Sequence, residues 1–326
     1  MPDVTVVVSN FNGAKYLPRL LASLSAQRGV SVEVIVVDRC SRDESAAILA
    51  AHPHVKVLSE PPESGLVSGY AVGAAAAACD LLFFCNEDMW FDADCLARLV
   101  ARMRSATDIG AVDPWQWTYD EATLIHAGTR FVETSLYQNG PDPSRKPDFV
   151  VPLLPGDAVP FGCAGAVLVR RDVYERVGGW DRSFFLDVED LDLFIRFWQN
   201  GWRVVVEPDA KVYHAVGMSN AQVIAGAVPV SRRRYISGRA SVLVMAVKYL
   251  PWTTVASVSV LWLAASLRRV LLMRWKHVGW DVSAAREVSA RLSSARAYRR
   301  SHAQTNRQRP VREFFRAKEF QSRPPA

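Results

Sequence analysis

Residues 184–196 hold four acidic side chains in an otherwise apolar stretch. The acids are Asp187, Glu189, Asp190 and Asp192. Burial of an unpaired carboxylate is very costly, so acids on an apolar helix usually have a metal, a cation or a substrate as partner. A single acid here could be a helix cap on a solvated face, but four acids close behind Gly178-Gly179-Trp180-Asp181 indicate part of an active site.

The same segment has the spacing of a helix that packs on a core. Its apolar residues follow the i, i+3, i+4, i+7 pattern. They are Leu191, Phe194, Ile195 and Trp198. Acids near the start of such a helix also interact favourably with its dipole. The segment therefore predicts a helix that buries one face and holds carboxylates at its N-terminus.

A second acidic site, Asn86-Glu87-Asp88, follows the apolar run Leu81–Cys85. Carboxylate and amide oxygens suit a hard divalent cation such as Mg²⁺ or Mn²⁺. Such a cation could bridge diphosphate oxygens and offset the charge of a leaving nucleoside diphosphate. Acids at strand ends are also common in plain turns, so the triplet alone leaves both interpretations open.

The first ninety residues alternate between apolar runs and helical patterns. The runs that predict strands are Val4–Val8, Val32–Asp38, Val55–Leu58 and Leu81–Cys85, and helical patterns cover residues 14–27, 44–51 and 71–78. This alternation predicts an α/β fold with a parallel, doubly wound sheet. Ligands bind at the carboxyl ends of such strands, where Asp38 and Asp88 lie.

The rest of the N-terminal part is less regular. Residues 113–157 are rich in Pro, Gly, Asp and Trp and predict a substrate-facing loop region. A strand over Val159–Val169 and a short helix over Asp172–Val177 precede the acidic helix. Two further strand segments, 201–206 and 212–214, complete the first domain.

Charge is divided unevenly along the 326 residues. The net charge is +6, but residues 1–231 carry 19 basic and 29 acidic residues, whereas residues 232–326 carry 20 basic and 4 acidic ones. A basic C-terminal region predicts contact with phosphate, from anionic lipid or from nucleic acid. The five cysteines include no CxxC pair, which favours reduced thiols and a cytoplasmic location.

Tyr249–Leu267 contains no charged residue and has basic residues on both sides. It is nearly long enough to span a bilayer, but Pro251 and several hydroxyl residues weaken that interpretation. The tryptophans spaced as interfacial anchors are Trp252, Trp262, Trp275 and Trp280. We therefore expect helices on or shallowly within an anionic membrane surface, with a helical subdomain packed on the first domain as the alternative. Nucleic acid is not expected, because the aromatics lie in apolar runs.

Several motifs occur together in a fixed order. They are Ser9-Asn10-Phe11-Asn12-Gly13, Asp38-Arg39-Cys40-Ser41-Arg42-Asp43, the Gly-rich run 65–73, Asn86-Glu87-Asp88, Gly178 to Leu193, and Pro208 to His214. With this set the chain resembles family-2 inverting glycosyltransferases of the GT-A fold. It is most similar to bacterial enzymes that transfer rhamnose or related sugars to lipid-linked glycans. The resemblance covers about residues 3–218, so we expect a GT-A domain over 1–218 and a basic, helical, membrane-associated region over 219–326.

The resemblance implies a role for each matching residue. Asp190 would be the general base, with Glu189 as its neighbour or as the base in its place. The nucleotide-sugar site would comprise Asn10, Asp38, Asp43, Gly65, Gly69, Asn86 and Glu87. The divalent metal, Mg²⁺ or Mn²⁺, would be held by Asp88, Asn86 and His214, although His214 could also be a purely structural histidine.

The segment after Asp38 departs from the family pattern. Arg39, Cys40 and Arg42 stand where members usually have Asn, Gly and Thr, and Glu63 replaces a frequent Asn. An arginine at this place could pair with diphosphate or change base selection.

The expected function is transfer of a sugar, with rhamnose as one candidate, from a nucleoside-diphosphate donor to a lipid-linked or cell-surface glycan. The expected location is the cytoplasmic face of the membrane. The alternatives are a degenerate protein that binds a sugar nucleotide or acts as a scaffold, and a nucleotidyltransferase. The last class needs a basic Gly-rich loop near the N-terminus, and Ser9 to Gly13 contains no Arg or Lys.

Overall fold

The computed structural model describes residues 2–61, 64–128, 153–185, 188–215, 232–303 and 311–314. The strands are β1 (Val4–Asn10), β2 (Val32–Asp38), β3 (Lys56–Ser59), β4 (Leu81–Asn86), β5 (Met89–Phe91), β6 (Ile109–Thr118), β7 (Leu124–His126), β8 (Ala158–Val159), β9 (Ala166–Arg170) and β10 (Arg203–His214). The helices are α1 (Leu17–Ser25), α2 (Ser45–Ala50), α3 (Gly65–Ala75), α4 (Cys95–Arg104), α5 (Arg171–Arg176), α6 (Glu189–Gln199), α7 (Arg232–Tyr249), α8 (Trp252–Leu271), α9 (Trp275–Ala303) and α10 (Val311–Phe314).

The strands form one sheet in the order β3-β2-β1-β4-β9-β6-β10-β5. Strands β3, β2, β1 and β4 run parallel, as do β6 and β10, while β9 is antiparallel to both β4 and β6. Asn10 pairs with Asp38 and Ser9 pairs with Asn86, so three motif-bearing strand ends lie side by side. The predicted α/β fold is confirmed, with a mixed sheet in place of a fully parallel one.

Helices cover the two faces of the sheet. One face packs on α1 and α4 through residues such as Leu17, Leu21 and Leu99. The other packs on α3 and α6, where Tyr70, Phe194 and Phe197 are fully buried. The four apolar residues predicted to form the inner stripe of α6, Leu191, Phe194, Ile195 and Trp198, are all buried. The acidic helix is therefore a core helix that packs on the sheet.

Three predictions of local structure are wrong. Val159–Val169 is not one strand, because β8 pairs with β10 and β9 pairs with β4 and β6. Part of the predicted loop region 113–157 belongs to β6 and β7. Helix α3 begins at Gly65, within the Gly-rich run, and ends at Ala75. In each case tertiary pairing or packing outweighs the local residue preference.

The C-terminal helices pack on the first domain. Tyr298 in α9 donates to Gln199 in α6 at 3.1 Å, and Phe314 makes an edge-to-face contact with Trp198. Side chains of α7, including Val244 and Val247, belong to the same buried cluster as α3 and α6. These contacts agree with the alternative prediction of a helical subdomain packed on the first domain. Helix α8 differs from α7, because Val255 is its one buried residue. The expected boundary at residue 218 lies outside the described residues.

A buried ion cluster joins α6 to α7. The Asp192 carboxylate is fully buried and accepts hydrogen bonds from Arg196 at 2.7 Å, from the Tyr249 hydroxyl at 2.7 Å and from Lys248. Lys248 also donates to Asp181 at 3.1 Å. Burial opposes ionisation of Asp192, but Arg196 and Lys248 outweigh it and lower its pKa to about 2. Asp192 is therefore a structural acid and not a free group of the site.

The Gly178-Gly179 motif serves the same cluster. Both glycines have positive φ, 88° and 63°, a conformation that other residues adopt only with strain. The turn directs the carbonyl oxygens of Val177 and Gly179 at Arg196, and each accepts a hydrogen bond of 2.7 Å. The Arg196 guanidinium therefore donates hydrogen bonds both to Asp192 and to these two carbonyl oxygens.

We expect Lys248→Met to destabilise the protein by about 3 kcal/mol, the low end of the range for breaking a buried ion pair, because Arg196 still faces Asp192. Urea unfolding measures the change. Arg268→Met, at an exposed position of α8, is the matched control and should change stability by less than about 0.5 kcal/mol. Equal stability of the two variants would contradict the structural role of Lys248.

Candidate active site

The ends of β1 and β2 are joined by a polar network around Asp38. Asn10 Nδ2 donates to Asp38 Oδ1 at 2.7 Å, the Ser41 hydroxyl donates to the same oxygen at 2.6 Å, and the Ser41 amide donates to Oδ2 at 3.0 Å. Cys40 takes a left-handed conformation, φ 51°, which turns the chain back toward Asp38. The network holds the Asp38 carboxylate at the sheet edge, where it can accept a hydrogen bond from a ligand.

Asp43 binds backbone groups on both sides of this edge. Its oxygens accept hydrogen bonds from the Ala14 amide at 2.9 Å and from the Ser45 amide at 3.1 Å. These bonds lower the pKa of Asp43 although desolvation opposes the shift. Asp43 thus fixes the loop after β2 to the loop after β1, which shapes the pocket.

The two predicted glycines allow close packing of α3. Gly65 has φ 81°, and a Cβ there would lie 2.6 Å from the Phe185 ring and 2.9 Å from the Phe185 carbonyl oxygen. A Cβ at Gly69 would lie 2.3 Å from Ser9 Oγ. Any larger residue would displace α3 from β1 or from the loop that leads toward α6. The glycines therefore connect the two halves of the site.

Asp88, His214 and Asn86 lie together at the ends of β4 and β10. His214 Nε2 is 3.1 Å from Asp88 Oδ1 and 3.5 Å from Asn86 Nδ2, and Gln116 Oε1 is 3.1 Å from His214 Nδ1. The Tyr70 hydroxyl donates to Asn86 Oδ1 at 2.7 Å, so this amide oxygen is already engaged.

Among the described residues, no group of three His, Cys, Asp or Glu side chains is arranged as a complete metal site. Asp88 and His214 supply one carboxylate oxygen and one imidazole nitrogen within 3.1 Å of each other. A divalent cation bound by few protein ligands completes its shell with water and substrate phosphate. The donor set present fits a cation of that kind.

Glu87 lies next to Asp88 in the triplet and against the loop after β1. It is half-buried, and a Cβ at Gly13 would lie 2.7 Å from its Cγ. Burial and the neighbouring Asp88 raise the pKa of Glu87 to about 7, despite the opposing influence of Arg39. The free protein therefore holds a proton at this edge of the sheet over part of the neutral range.

Asp190 and Glu189 form the first turn of α6. Val188, which precedes them, has φ 61°, a strained conformation for a β-branched residue. Asp190 Oδ1 accepts a hydrogen bond of 2.8 Å from the Leu191 amide and the residue is half-buried, whereas Glu189 is 6% exposed. Asp190 is the more accessible of the two acids. Asp187 lies outside the described residues.

Sequence reasoning missed a buried pair beside Asp190. His126 Nε2 is 2.7 Å from Asp113 Oδ2, and the Cys163 amide donates to Asp113 Oδ1 at 3.0 Å. Burial opposes protonation of His126, but Asp113 and Asp190 raise its pKa. Burial and the charges of Asp190 and Asp113 raise the pKa of the Cys163 thiol to about 12. In the sequence, the acidic and small residues of the predicted loop region 113–157 were the available signal for this pair.

The loop before β9 connects the Asn86-Asp88-His214 group with the Asp113–His126 pair. Gly165 accepts a hydrogen bond from the Asn86 amide at 3.0 Å, and a Cβ there would lie 3.5 Å from both Cys163 Sγ and the His214 ring. Cys163 in turn contacts the Asp113 group. The structure thus brings the predicted residues of β1, β2, β4 and β10 to one edge, and the charge of Asp190 acts on Cys163 in the same loop. Glu63 lies outside the described residues.

This arrangement is that of a GT-A glycosyltransferase fold. A solved structure with the same fold, GalNAc-T7 with UDP, GalNAc and Mn²⁺, superposes with a TM-score of 0.54 over 66% of this chain and 44% of that one, at 19% identity. The mannosyltransferase PcManGT from Pyrobaculum calidifontis, in complex with GDP-Man and Mn²⁺, gives 0.52 over 98% of this chain and 84% of that one, at 16% identity.

The sequence matches the model of glycosyl transferase family 2 over residues 5–178, and the chain belongs to that family. Succinoglycan biosynthesis protein ExoO of Rhizobium meliloti is 30% identical over 66% of this chain and 61% of its own length, so the match spans less than two thirds of that relative. The N-acetylglucosaminyl-diphospho-decaprenol L-rhamnosyltransferase of Mycobacterium tuberculosis is 28% identical over 66% of this chain and 76% of its own length.

In metal-free buffer, the free energy of unfolding should fall as the pH rises from about 5 to about 8. The pKa of Glu87 is about 7 in the folded protein and lies above its ordinary value of 4.5, so its deprotonation disfavours the folded state. Glu87→Gln should therefore be more stable than the wild type near pH 8 and similar near pH 5.

Urea unfolding at the two pH values, with a chelator present, tests this expectation. Glu44→Gln is the control, because Glu44 is exposed and its side chain makes no cap bond to α2. A pH dependence that is the same in Glu87→Gln and in the wild type would show that Glu87 is not the group responsible.

Proposed function

We propose that the protein is a metal-dependent inverting glycosyltransferase that moves a sugar from a nucleoside-diphosphate donor to a lipid-linked or cell-surface glycan. The observation that carries this proposal is the grouping of Asp38 and of Asp88 with His214 at one sheet edge, together with an accessible Asp190 whose charge acts on Cys163 in the adjoining loop. These groups have the chemistry needed for the base or ribose, for the diphosphate and for the acceptor hydroxyl, respectively. Membership of glycosyl transferase family 2 supports the same reaction class.

Inversion requires one base and no covalent nucleophile. Asp190 would accept the proton of the acceptor hydroxyl, whose oxygen then attacks the anomeric carbon from the face opposite the diphosphate. The bond from that carbon to the diphosphate oxygen breaks, and its electron pair leaves with the nucleoside diphosphate. Asp190 is preferred to Glu189 as the base because it is the less buried of the two.

The donor side would be held by residues of the β1 and β2 ends. Asp38 would accept a hydrogen bond from the nucleoside, with Asn10 and Ser41 fixing its orientation. Asp88 and His214 would hold Mg²⁺ or Mn²⁺ against the diphosphate, where the cation would offset the charge of the leaving group. Two structural neighbours were solved with Mn²⁺.

The name of the mycobacterial relative supports rhamnose as the sugar and a polyprenyl-diphosphate-linked saccharide as the acceptor. An acceptor of that kind lies at the membrane surface. The C-terminal region offers a matching surface, because α8 exposes a stripe of apolar side chains at i, i+3, i+7 and i+11. They are Val260, Leu263, Leu267 and Leu271, each at least 59% exposed.

Helix α8 is, among the described residues, the one helix long and apolar enough to cross a membrane. Its contacts favour an in-plane position instead. Arg239 in α7 donates to the Trp262 carbonyl at 3.1 Å and pairs with Asp281 in α9, which also binds Arg269. A spanning α8 would draw this ion cluster into hydrocarbon, which is costly.

We therefore propose that the protein is peripheral or monotopic, on the cytoplasmic face of the membrane. Trp252, the first residue of α8, and Trp275, the first residue of α9, are 54% and 64% exposed and could lie at the headgroup level. Trp262 and Trp280 are less suited to that role, because both are less exposed: Trp262 contacts Arg239 and Trp280 packs on Tyr235. The exposed arginines of the region would meet anionic headgroups.

Asp190→Asn should reduce sugar transfer at least about 100-fold, because the amide cannot accept the acceptor proton. Its affinity for the donor nucleotide should stay within about twofold of the wild type, as the side chain lies on the acceptor side. The assay is transfer from a labelled donor to a polyprenyl-diphosphate-linked saccharide, with Mn²⁺ present.

Asp172→Asn is the control for this assay, because Asp172 is exposed on α5. Retained turnover in Asp190→Asn with loss of turnover in Glu189→Gln would assign the base to Glu189. Nucleotide binding without transfer by the wild type, over a panel of donors and acceptors, would favour a degenerate binding protein.

Replacement of Leu263, Leu267 and Leu271 by Ser should lower binding to anionic vesicles at least tenfold, since each exposed leucine contributes apolar area to the contact. Vesicle sedimentation measures the change. The double variant Val57→Ser/Leu154→Ser removes exposed apolar side chains elsewhere and should bind as the wild type does. Unchanged sedimentation of the triple variant would contradict this surface.

A further inference from the structure

Arg39 is a buried cation that makes no side-chain hydrogen bond or ion pair with any residue that the structure describes. The residue is 8% exposed, and its Nε is fully buried. No described residue accepts a hydrogen bond from its guanidinium, although the group has five N–H donors. Buried guanidinium groups are usually paired, because an uncompensated buried charge costs several kcal/mol. The free protein therefore keeps an unfavourable group at this position.

The position of Arg39 is fixed by the sheet. It follows Asp38 at the end of β2, and its amide donates to the Asn10 carbonyl on β1 at 2.9 Å. Its guanidinium lies 5.1 Å from the centre of the Phe11 ring, beyond the end of β1. Because β1 lies between β2 and β4, this contact with the residue after β1 places the guanidinium on the side of β2 where the Asn86-Glu87-Asp88 triplet also lies.

The charged neighbours agree with this direction. Burial lowers the pKa of Arg39, and the charge that most opposes the shift is that of Glu87, ahead of Tyr70 and Asp38. The Tyr70 hydroxyl is bonded to Asn86 at the same edge. The Glu87 carboxylate of the triplet therefore acts on the Arg39 guanidinium, and Asp38 acts on it as well.

Other unpartnered polar atoms lie at the end of β1. Within the described chain, Ser9 Oγ and Asn10 Oδ1 are also buried without a hydrogen-bond partner; the Ser9 hydroxyl can donate to an anion, whereas the Asn10 oxygen accepts only and would need a donor from another part of the ligand. Buried polar atoms without partners are rare in folded proteins, and a group of them indicates a site whose ligand supplies the partners. An anion with several acceptor oxygens would satisfy a guanidinium best, since phosphate accepts two parallel N–H bonds from it.

We propose that Arg39 binds the diphosphate of the donor nucleotide. This inference rests on the proposed function, because it requires a nucleoside-diphosphate donor in the pocket. Arg39 then holds the diphosphate from the β2 side, while Asp88 and His214 hold its cation from the β4 side. As the bond to the sugar breaks, negative charge grows on the departing diphosphate, and the fixed guanidinium stabilises it.

The test compares binding of diphosphate and binding of nucleoside. A panel of UDP, GDP, dTDP and CDP first identifies the diphosphate that binds the wild type. Its affinity is then measured by calorimetry in Arg39→Met and Arg39→Gln, with Mn²⁺ and with EDTA. Binding of the corresponding nucleoside is measured by NMR titration. Arg28→Met, at an exposed position after α1, is the charge-matched control.

Both Arg39 variants should bind the diphosphate at least tenfold more weakly, with Mn²⁺ and with EDTA, and should bind the nucleoside within twofold of the wild type. Arg28→Met should change neither affinity. The melting temperature of Arg39→Met without ligand should be equal to or above that of the wild type, because the variant removes an uncompensated buried charge.

Three results would overturn the assignment. Unchanged diphosphate affinity would exclude contact with the phosphates, and an equal loss for the nucleoside would assign Arg39 to base or ribose recognition. A lower melting temperature without ligand, with loss of both affinities, would show a structural role. If no diphosphate binds the wild type, the proposed function fails together with this inference, whereas transfer by the wild type with an unaffected Arg39→Met refutes the inference alone.

Discussion

The buried carboxylate of Asp192 determines how the two parts of the chain fit together. An ionised carboxylate in the core is tolerated only if cations and donors surround it, and no single helix supplies enough of them. Arg196 comes from the same helix, whereas Lys248 and Tyr249 come from α7. The helix that begins with Glu189 and Asp190 is therefore held by the C-terminal region. Part of the positive charge of that region serves the interior of the protein and not an external partner.

The fold could be predicted where local pattern and tertiary role agree. Strands β1, β2 and β4 are apolar runs in the sequence and lie in the buried centre of the sheet. Helix α3 was placed too late, because Gly65, Gly69 and Gly73 disfavour a helix locally. The structure requires them, since a side chain at Gly69 or Gly73 would collide with β1. Strand β6 was missed because Asp113 and Pro114 are poor strand residues, and pairing with β9 and β10 outweighs this preference.

The candidate site could likewise be predicted from the sequence only in part. Acids at strand ends are visible in sequence, because a run of β-branched residues ends in a polar one. Partners that are distant in the chain are not visible: Asp192 and Lys248 are 56 residues apart, and Asp113 and Cys163 are 50 residues apart. Because these partners are not visible in the sequence, the four acids of residues 184–196 together predict a single role in an active site. The structure separates Asp192, which stabilises the core, from Asp190, which remains accessible.

Asp192 and Arg39 differ in one respect that bears on their roles. Both are charged and more than nine tenths buried, but Asp192 has hydrogen-bonded partners within the chain, whereas the Arg39 side chain makes no hydrogen bond or ion pair among the described residues. A buried charge that is compensated internally stabilises one arrangement of helices. A buried charge left uncompensated lowers stability, and it persists where a ligand of opposite charge supplies the missing partner. The exposed apolar stripe of α8 can be explained in the same way. Exposure of its side chains to water is unfavourable, and contact with an apolar surface removes that unfavourable free energy. The uncompensated groups thus indicate an anionic donor at the sheet edge and a lipid surface beneath α8.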